Sequence, residues 1–485
     1  MNAIRGMRMK TMLRNPGIYT GVLYIITAGY FGKQLFQLQL LKNRDIALVM
    51  LGIVIIGAAL TFLMFPKKRR RIAKILGNSF AISFSILFLI GGLGCSVANS
   101  LISQITVKEV EYNDISLIVL KESNIKSVTD IKEDDTLGYQ TICYPESAER
   151  MLKALKEERG IESSKQEFDT ISEMAKGLYE ETVPIIILDE AYRHVLEEEH
   201  PSFTSDTRVI YTINYPEKNM SFVKDVNITK DSFVVLISGI DTYGEISRVS
   251  RSDVNVLAVV NPVRQKILLI SIPRDYYVPI VSDGSSTGRA EGQKDKLTHT
   301  GLFGPQCTMR SLEELFDIPI HYFVRVNFTS VVDIVDAIGG VSVQSDYAFR
   351  EFVVGTNECD GQQALSFARE RYAFEAGDRQ RGKNQMKIIE AIVKKLSNPK
   401  LEYDYLQLFQ VIGDCVETSI SDKEIKELIQ FQINNMPQWS LQTTSVNGSD
   451  GKDYSYYSGQ NLYVMYPDQD SIDAAKERIR SVYFD

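Results

Sequence analysis

Ala368 to Gln385 reads ARERYAFEAGDRQRGKNQ, which sets Arg369, Arg371, Arg379, Arg381 and Lys383 within eighteen residues of a chain whose formal net charge is -8. Arg369 and Arg371 are two apart, so on an extended segment both guanidinium groups leave the same face. Arg381 and Gln385 are four apart and share a face of the helix predicted from Gln380 to Leu396, with Asp378 as its cap. That helix buries the stripe Met386, Ile389, Ile392, Val393 and Leu396. So many cations repel one another unless a polyanion sits among them, and the planar fork of arginine suits phosphate oxygens. Pairing with Glu370 and Glu375 is the plainer account of any one of these arginines. It does not account for the whole set together with the matching pieces upstream.

Working back from this stretch, Phe233–Ile240, Val254–Val260 and Lys266–Ile272 read as buried strands, the last two joined by a turn at Asn261-Pro262. Met309–Leu315 and Gly361–Phe367 read as helices and His321–Val326 as a strand. Ser330–Ile338 reads as a helix ended by Gly339-Gly340. This is an α/β/α sandwich with mixed strand directions, over about 226–400. The part 401–485 adds an amphipathic helix (Lys423–Ile433), a polar loop (Val446–Gln460), a strand and a last helix, all expected to pack on the same domain. Ser455 falls in that loop and is expected to face solvent.

Further back, 106–225 alternates short apolar runs with helical periodicity. Ile115–Leu120, Leu137–Ile142, Val183–Leu188 and Val209–Ile213 read as strands. Glu146–Lys156, Ile171–Leu178 and Asp189–Glu198 read as helices. The pattern predicts a small α/β accessory domain with a largely parallel sheet. It carries no phosphate-type cluster and is expected to be dispensable for chemistry.

The first 105 residues are a different material, with thirteen Lys and Arg against one acid, Asp45. Apolar runs of bilayer length are read at about 17–41, 46–65 and 75–98, the first interrupted by Lys33. Basic residues concentrate before the first run and at Lys67–Arg71, which places both in the cytoplasm and everything after the third run outside. The acidic bulk beyond residue 105 argues against nucleic acid as a partner. Cys143, Cys307, Cys359 and Cys415 are compatible with zero, one or two bridges, and no CxxC or Cys/His cluster suggests zinc. His299 and His321 read as packing or surface residues.

Two acid-bearing loops follow strands, as ligand loops do in α/β sheets. One is Gly239-Ile240-Asp241, leading to Arg251-Ser252-Asp253. The other is Ser271-Ile272-Pro273-Arg274-Asp275. Asp241 and Asp253 can hold a divalent cation, and Arg251, Arg274, Arg369, Arg371 and Arg381 can neutralise phosphates. Taken in order, GID (239–241), RSD (251–253), SIPRD (271–275), DKLTHTG (295–301), FVRVNFTSVVDIVDAIGGV (323–341), GQQALSFARER (361–371), GDRQRGKNQ (377–385) and LYVMYP (462–467) resemble the LytR-CpsA-Psr family of cell-wall glycopolymer transferases. The resemblance runs from about Asp231 to the C-terminus. Several spans and an intervening domain resemble the capsule-type branch.

The resemblance implies a membrane-anchored phosphotransferase of a Gram-positive bacterium with its C-terminal domains extracellular. It moves a glycan, with one phosphate, from a polyprenyl-pyrophosphate carrier onto peptidoglycan. Asp241 and Asp253 match the residues that hold Mg2+ or Mn2+. Arg251, Arg274, Arg369, Arg371, Arg381 and Gln385 match those that contact the pyrophosphate, and Arg371 is expected to be catalytic together with Asp241 and Asp253. Thr298 departs from the many members that have Asn. Whether Asp241 or Asp253 also serves as general base stays open. Two other functions use the same residues: a lipid-pyrophosphate-binding regulator of envelope polysaccharide synthesis, and a pyrophosphatase with water as acceptor.

Overall fold

The computed structural model describes residues 16–65, 71–105, 110–143, 145–218, 226–240, 249–282, 287–374, 378–397 and 416–484, in two units. One unit holds α1 (Pro16–Leu38), α2 (Asn43–Met64) and α3 (Arg71–Ile105), together with the helix Asp422–Asn435. By length and composition, Asn43–Met64 and Arg71–Ser103 can each cross a bilayer. α1 forms where a third span is expected but does not pass the same test, since Lys33, Gln34 and Gln37 dilute its apolar content. Hydrogen bonds link these helices: Tyr24 Oη donates to Ile53 O at 2.6 Å and Thr20 Oγ1 to Asn78 Oδ1 at 2.7 Å. Most of the basic run, Lys67–Arg70, lies outside the described residues.

The helix Asp422–Asn435 starts on a capping box of Ser421 and Glu424. Its grouping corrects the expectation that all of 401–485 packs on the catalytic domain. Ile425 and Ile429 lie four apart on one face and pack against Leu38, Ala98 and Ile102. Lys426 Nζ donates to Asn99 Oδ1 at 2.7 Å.

In the other unit, the accessory module has strands β1 (Val110–Leu120), β2 (Thr136–Gln140), β3 (Ser164–Phe168), β4 (Ile185–Asp189) and β5 (Thr207–Lys218). Helices α4 (Pro145–Arg159), α5 (Ile171–Tyr179) and α6 (Arg193–Glu199) connect them. The strand order is β3-β2-β4-β1-β5. β2 runs parallel to β3 and β4, but β1 is antiparallel to β4 and β5, so the sheet is mixed rather than largely parallel. β4 is buried along its length, as an IIILD run between layers should be. β3, reading SKQEF, escapes the sequence pattern because it is a polar, exposed edge strand.

The catalytic module begins with β6 (Phe233–Gly239), β7 (Val254–Asn261) and β8 (Lys266–Ile272). A small hairpin of β9 (Tyr277–Pro279) and β10 (Lys294–Lys296) leads to a single helical turn at Leu297–Thr300. Then come α7 (Pro305–Phe316), β11 (Tyr322–Val326), α8 (Phe328–Ala337) and the hairpin β12 (Val341–Ser345) with β13 (Gly355–Cys359). α9 (Gly361–Arg369) and α10 (Asp378–Ser397) precede β14 (Val416–Thr418) and β15 (Ser440–Ser445). β16 (Gly448–Ser455), β17 (Gln460–Pro467) and α11 (Gln469–Tyr483) close the chain. The expected polar loop at Val446–Gln460 is therefore mostly one arm of a hairpin.

The central sheet has the order β14-β11-β6-β7-β8-β15. β11 is parallel to β6 and β15 to β8, while β6, β7 and β8 form an antiparallel meander and β14 runs antiparallel to β11. One face buries Val234, Leu236, Leu257, Val259, Leu268 and Ile270 under α7 and α11. Residues of the other parity, such as Val235, Val256 and Leu269, are also buried, and α10 packs against β7, β8 and β15. This is the expected α/β/α sandwich.

The two modules share a core. Ile142, Cys143, Ile171, Leu188, Tyr192 and Phe203 of the accessory module cluster with Val249, Ile280, Ala290, Leu302, Phe303, Cys307 and Tyr457 of the catalytic module. Tyr192 Oη donates to Leu302 O at 2.6 Å, both buried. The boundary near residue 225 is thus a change of sheet and not of core. Cys95, Cys143, Cys307 and Cys359 are free thiols, and Cys415 lies outside the described residues.

Candidate functional site

The register Asn255↔Ile272 between β7 and β8 carries on past the ladder, so Asp253 and Arg274 stand side by side at one end of the sheet. Arg274 Nη1 donates to Asp253 Oδ1 at 2.7 Å, and Thr298 Oγ1 donates to the same oxygen at 3.1 Å. Asp253 Oδ2 accepts no hydrogen bond among the described residues. Asp253 N–H is held by Gly239 O at 2.9 Å, next to Ile240. Asp241 follows directly and lies outside the described residues.

The segment Ser250–Asp253 is fixed from several sides. Arg325 is 2% exposed, paired with Glu417 at 2.7 Å, and donates through Nη2 to Ser250 Oγ at 2.7 Å. Ser252 Oγ lies 2.6 Å from Ser238 Oγ and donates to Asn255 Oδ1 at 2.7 Å. Ser252 N–H donates to Thr298 O at 3.0 Å. Gly301 is required here, since a Cβ would stand 2.5 Å from Ser250 O and 2.8 Å from Ser252 N. Arg251 is half-buried in this frame.

The DKLTHTG stretch is the brace. Lys296 Nζ pairs with the buried Asp275 at 2.5 Å. Asp295, fully buried, takes His299 Nδ1 at 2.8 Å, Tyr457 N–H at 2.8 Å and Ser455 Oγ at 3.1 Å. Burial pushes the Asp295 carboxyl up, but the bonds from His299 and from the Tyr457 and Lys296 amides outweigh it and leave it lowered. Ser455 is buried rather than solvent-facing, and His299 is a packing residue with a defined partner. Both Asp295 and Ser455 sit on His299 Nδ1, so the three do not make a nucleophile relay, which needs both ring nitrogens.

Arg369 ends α9, and Glu370 is extended rather than part of a strand. Exposure still alternates: Arg369 is exposed, Glu370 buried and Arg371 half-buried. The Glu370 carboxylate turns inward, taking the N–H groups of Tyr372 (2.8 Å) and Ala373 (3.0 Å) and pairing with Arg350 at 2.5 Å. Burial raises its pKa, and those amides and the guanidinium lower it by more. Arg371 lies over the Tyr372 ring, 4.6 Å from its centroid, and donates to the Tyr372 hydroxyl. Glu375 lies outside the described residues.

α10 begins at Asp378 and carries Arg381 and Gln385, both half-buried. Asn384 Nδ2 donates to Phe367 O at 3.3 Å, tying this helix to the segment that carries Arg369. Arg379 instead pairs with Asp450 at 2.7 Å. Asp450 faces Met465 across the β16–β17 ladder, and Met465 N–H donates to Asp275 O at 2.7 Å. The start of α10 and the Arg274 loop are thereby joined through one hairpin.

Among the described residues there is no group of three or more His, Cys, Asp and Glu suited to a metal. A hard divalent cation still fits the donor chemistry, because Asp253 offers a carboxylate oxygen that accepts no hydrogen bond among the described residues, and its N–H is held next to Ile240, which Asp241 follows in sequence. Sequence reasoning missed Thr298, Arg325 and Ser250 as parts of the site. Thr298 and Arg325 lie in the DKLTHTG and FVRVNFTS stretches, which was their only signal, whereas Ser250 lies in neither and carried none.

The profile of the LytR_cpsA_psr family matches residues 202–481. A protein of Enterococcus faecalis named polyisoprenyl-teichoic acid–peptidoglycan teichoic acid transferase TagU is 32% identical over 259 residues, covering 51% of this chain and 82% of that protein. The Bacillus subtilis transferase TagT, named likewise, is 30% identical over 281 residues, covering 55% and 81%. The crystal structure of B. subtilis TagT overlaps with a TM-score of 0.40 at 27% identity, over 54% of this chain and 95% of that one.

Proposed function

This chain belongs to the LytR-CpsA-Psr family, and on that premise we propose that it moves a glycopolymer with one phosphate from a polyprenyl-pyrophosphate carrier onto peptidoglycan. The polymer is of capsule or teichoic-acid type. Transfer of teichoic acid to peptidoglycan is in the names of the relatives, which supports the donor and acceptor classes. The observation that carries the reading is the inward turn of Glu370. Its two oxygens are committed to Tyr372, Ala373 and Arg350, so it does not serve as the surface counter-ion of Arg369 and Arg371.

In this reading Arg251, Arg274, Arg369, Arg371, Arg381 and Gln385 bind and orient the pyrophosphate. Forked donors stabilise charge on both phosphates as the bridging bond lengthens. A hydroxyl oxygen of peptidoglycan attacks the glycan-bearing phosphorus, the bond from that phosphorus to the bridging oxygen breaks, and polyprenyl phosphate leaves. The hydroxyl proton passes to a carboxylate, with Asp253 Oδ2 or Asp241 as the acceptor. Mg2+ or Mn2+ held by Asp253 and Asp241 would neutralise developing phosphate charge. Thr298 and Arg274 hold Asp253 in one orientation.

The chain is anchored through its N-terminal helices with the catalytic module outside the cell, supported by the basic residues before the first run and between the second and third. Labelled lipid-linked donor incubated with the purified full-length protein and peptidoglycan fragments tests the function. Covalent transfer supports it. Phosphate release without transfer makes the protein a pyrophosphatase, and retention of donor without either product makes it a regulator.

A further inference from the structure

We infer that the accessory module is a positioning part of the donor site: through Tyr192 and Val249 it fixes the backbone segment that carries Arg251 and Asp253. The inference rests on the proposed role of that segment in binding the donor. Residues 110–201 lie outside the stretch matched by the family profile, so nothing in the family assignment gives them a task.

The physical path is short. Val249 is fully buried, and it packs not in the core of its own sheet but in the cluster built with Ile142, Tyr192 and Phe203 of the accessory module. It is two residues from Arg251 and four from Asp253. Against this same segment Gly301 approaches so closely that a methyl group would meet Ser250 O and Ser252 N. The next carbonyl, Leu302 O, accepts the Tyr192 hydroxyl at 2.6 Å, and Leu302 and Phe303 fill the same shared cluster. Two further contacts lock the modules. Arg289 pairs with Glu167, and a Cβ on Gly288 would stand 2.6 Å from Thr141 O.

A domain that served only as a spacer would meet the catalytic module through a polar, replaceable surface. Here it supplies the wall against which the segment's leading residue and its backing turn are packed. Close-packed interiors transmit small displacements, and a shift of about 1 Å at a reacting group can cost roughly a hundredfold in rate. Arg369, Arg371 and Arg381 sit on α9, its extension and α10, outside this path. Binding of the donor and its turnover should therefore respond differently when the wall is loosened.

Tyr192→Phe and Val249→Ala in the full-length chain in detergent test this, with lipid-linked pyrophosphate glycan as the probe. Three quantities are read: hydrogen exchange of the Ser252 and Asp253 amides, kcat, and donor retained through purification. In both variants exchange at those amides should rise and kcat should fall about tenfold, while retention, which Arg369, Arg371 and Arg381 still support, should fall only about twofold through the loosened Arg251. Wild-type exchange and wild-type kcat in two folded variants would overturn the inference. So would a proportional loss of retention and kcat with faster exchange across the whole central sheet, which is plain destabilisation. If the unmodified chain neither retains nor turns over donor, the proposed function fails instead, and the exchange comparison alone decides whether the accessory module holds the segment.

Discussion

The Thr298 hydroxyl donates to Asp253 Oδ1 at 3.1 Å, on the very oxygen that receives Arg274. One carboxylate oxygen thus takes two donors, and the other takes none among the described residues. Thr298 also ties the two loops together, accepting Ser252 N–H through its carbonyl and donating its own N–H to Arg274 O at 2.8 Å.

Thr298→Val keeps the shape and removes the donor, so Asp253 should lose its orientation and turnover should drop roughly tenfold, the worth of a hydrogen bond to a charged group. Thr298→Asn restores an N–H donor and should recover most of the loss. Steady-state rates on the two variants decide it, and equal activity in Val and Asn would remove Thr298 from the account.

Asp295 titrates below the ordinary carboxylate range when folded. Its contribution is therefore complete above the unfolded value of about 3.9 and is lost as pH falls through the lower folded value. Asp295→Asn should cost about 1.5–3 kcal/mol near neutral pH, and its gap from the unmodified protein should close as pH falls below about 4. Urea unfolding at several pH values measures this, and a gap that stays constant into acid would contradict it.

Removing 1–225 should not leave a well-behaved catalytic fragment, contrary to the expectation from motif positions alone. Val249, Leu302, Phe303 and Cys307 would be bared, and each large apolar side chain buried in the shared core is worth about 1.5–3 kcal/mol. The check is size-exclusion and circular dichroism of a chain starting near Val226. A monodisperse fragment with full turnover would refute it.

Ser449 is exposed on β16, unlike the buried Ser455, and reports topology better. Ser449→Cys in a background without native cysteines should react with a membrane-impermeant thiol reagent on intact cells. Labelling only after lysis would put the catalytic module in the cytoplasm.

Legibility in the sequence followed the range of the interactions. The meander of β6, β7 and β8 was readable because its apolar runs are continuous and its turn is marked by Asn261-Pro262. That meander brings Asp253 and Arg274 together, so their proximity was within reach of the pattern. Thr298, Arg325 and Glu370 were not readable as supports, since each acts through a partner distant in sequence or through an inward turn that charge alone would not suggest. The shared core escaped for another reason. Ile142, Tyr192, Val249 and Phe303 each look satisfied within their own module, and nothing in periodicity says that two apolar faces meet. Ser455 and its surroundings look like a loop because β16, reading GSDGKDYS, has no apolar alternation.

The most direct test measures donor retention and turnover on the same four variants: Arg369→Ala, Arg371→Ala, Asp241→Ala and Asp253→Ala, each verified as folded. A charge-assisted contact is worth about 1.5–3 kcal/mol, so the two arginine variants should lose retention and turnover together, roughly ten- to a hundredfold. The two aspartate variants should lose turnover while still retaining lipid. Full turnover in all four would contradict the account, because the arginine cluster and the Asp253 knot would then not be the site of chemistry.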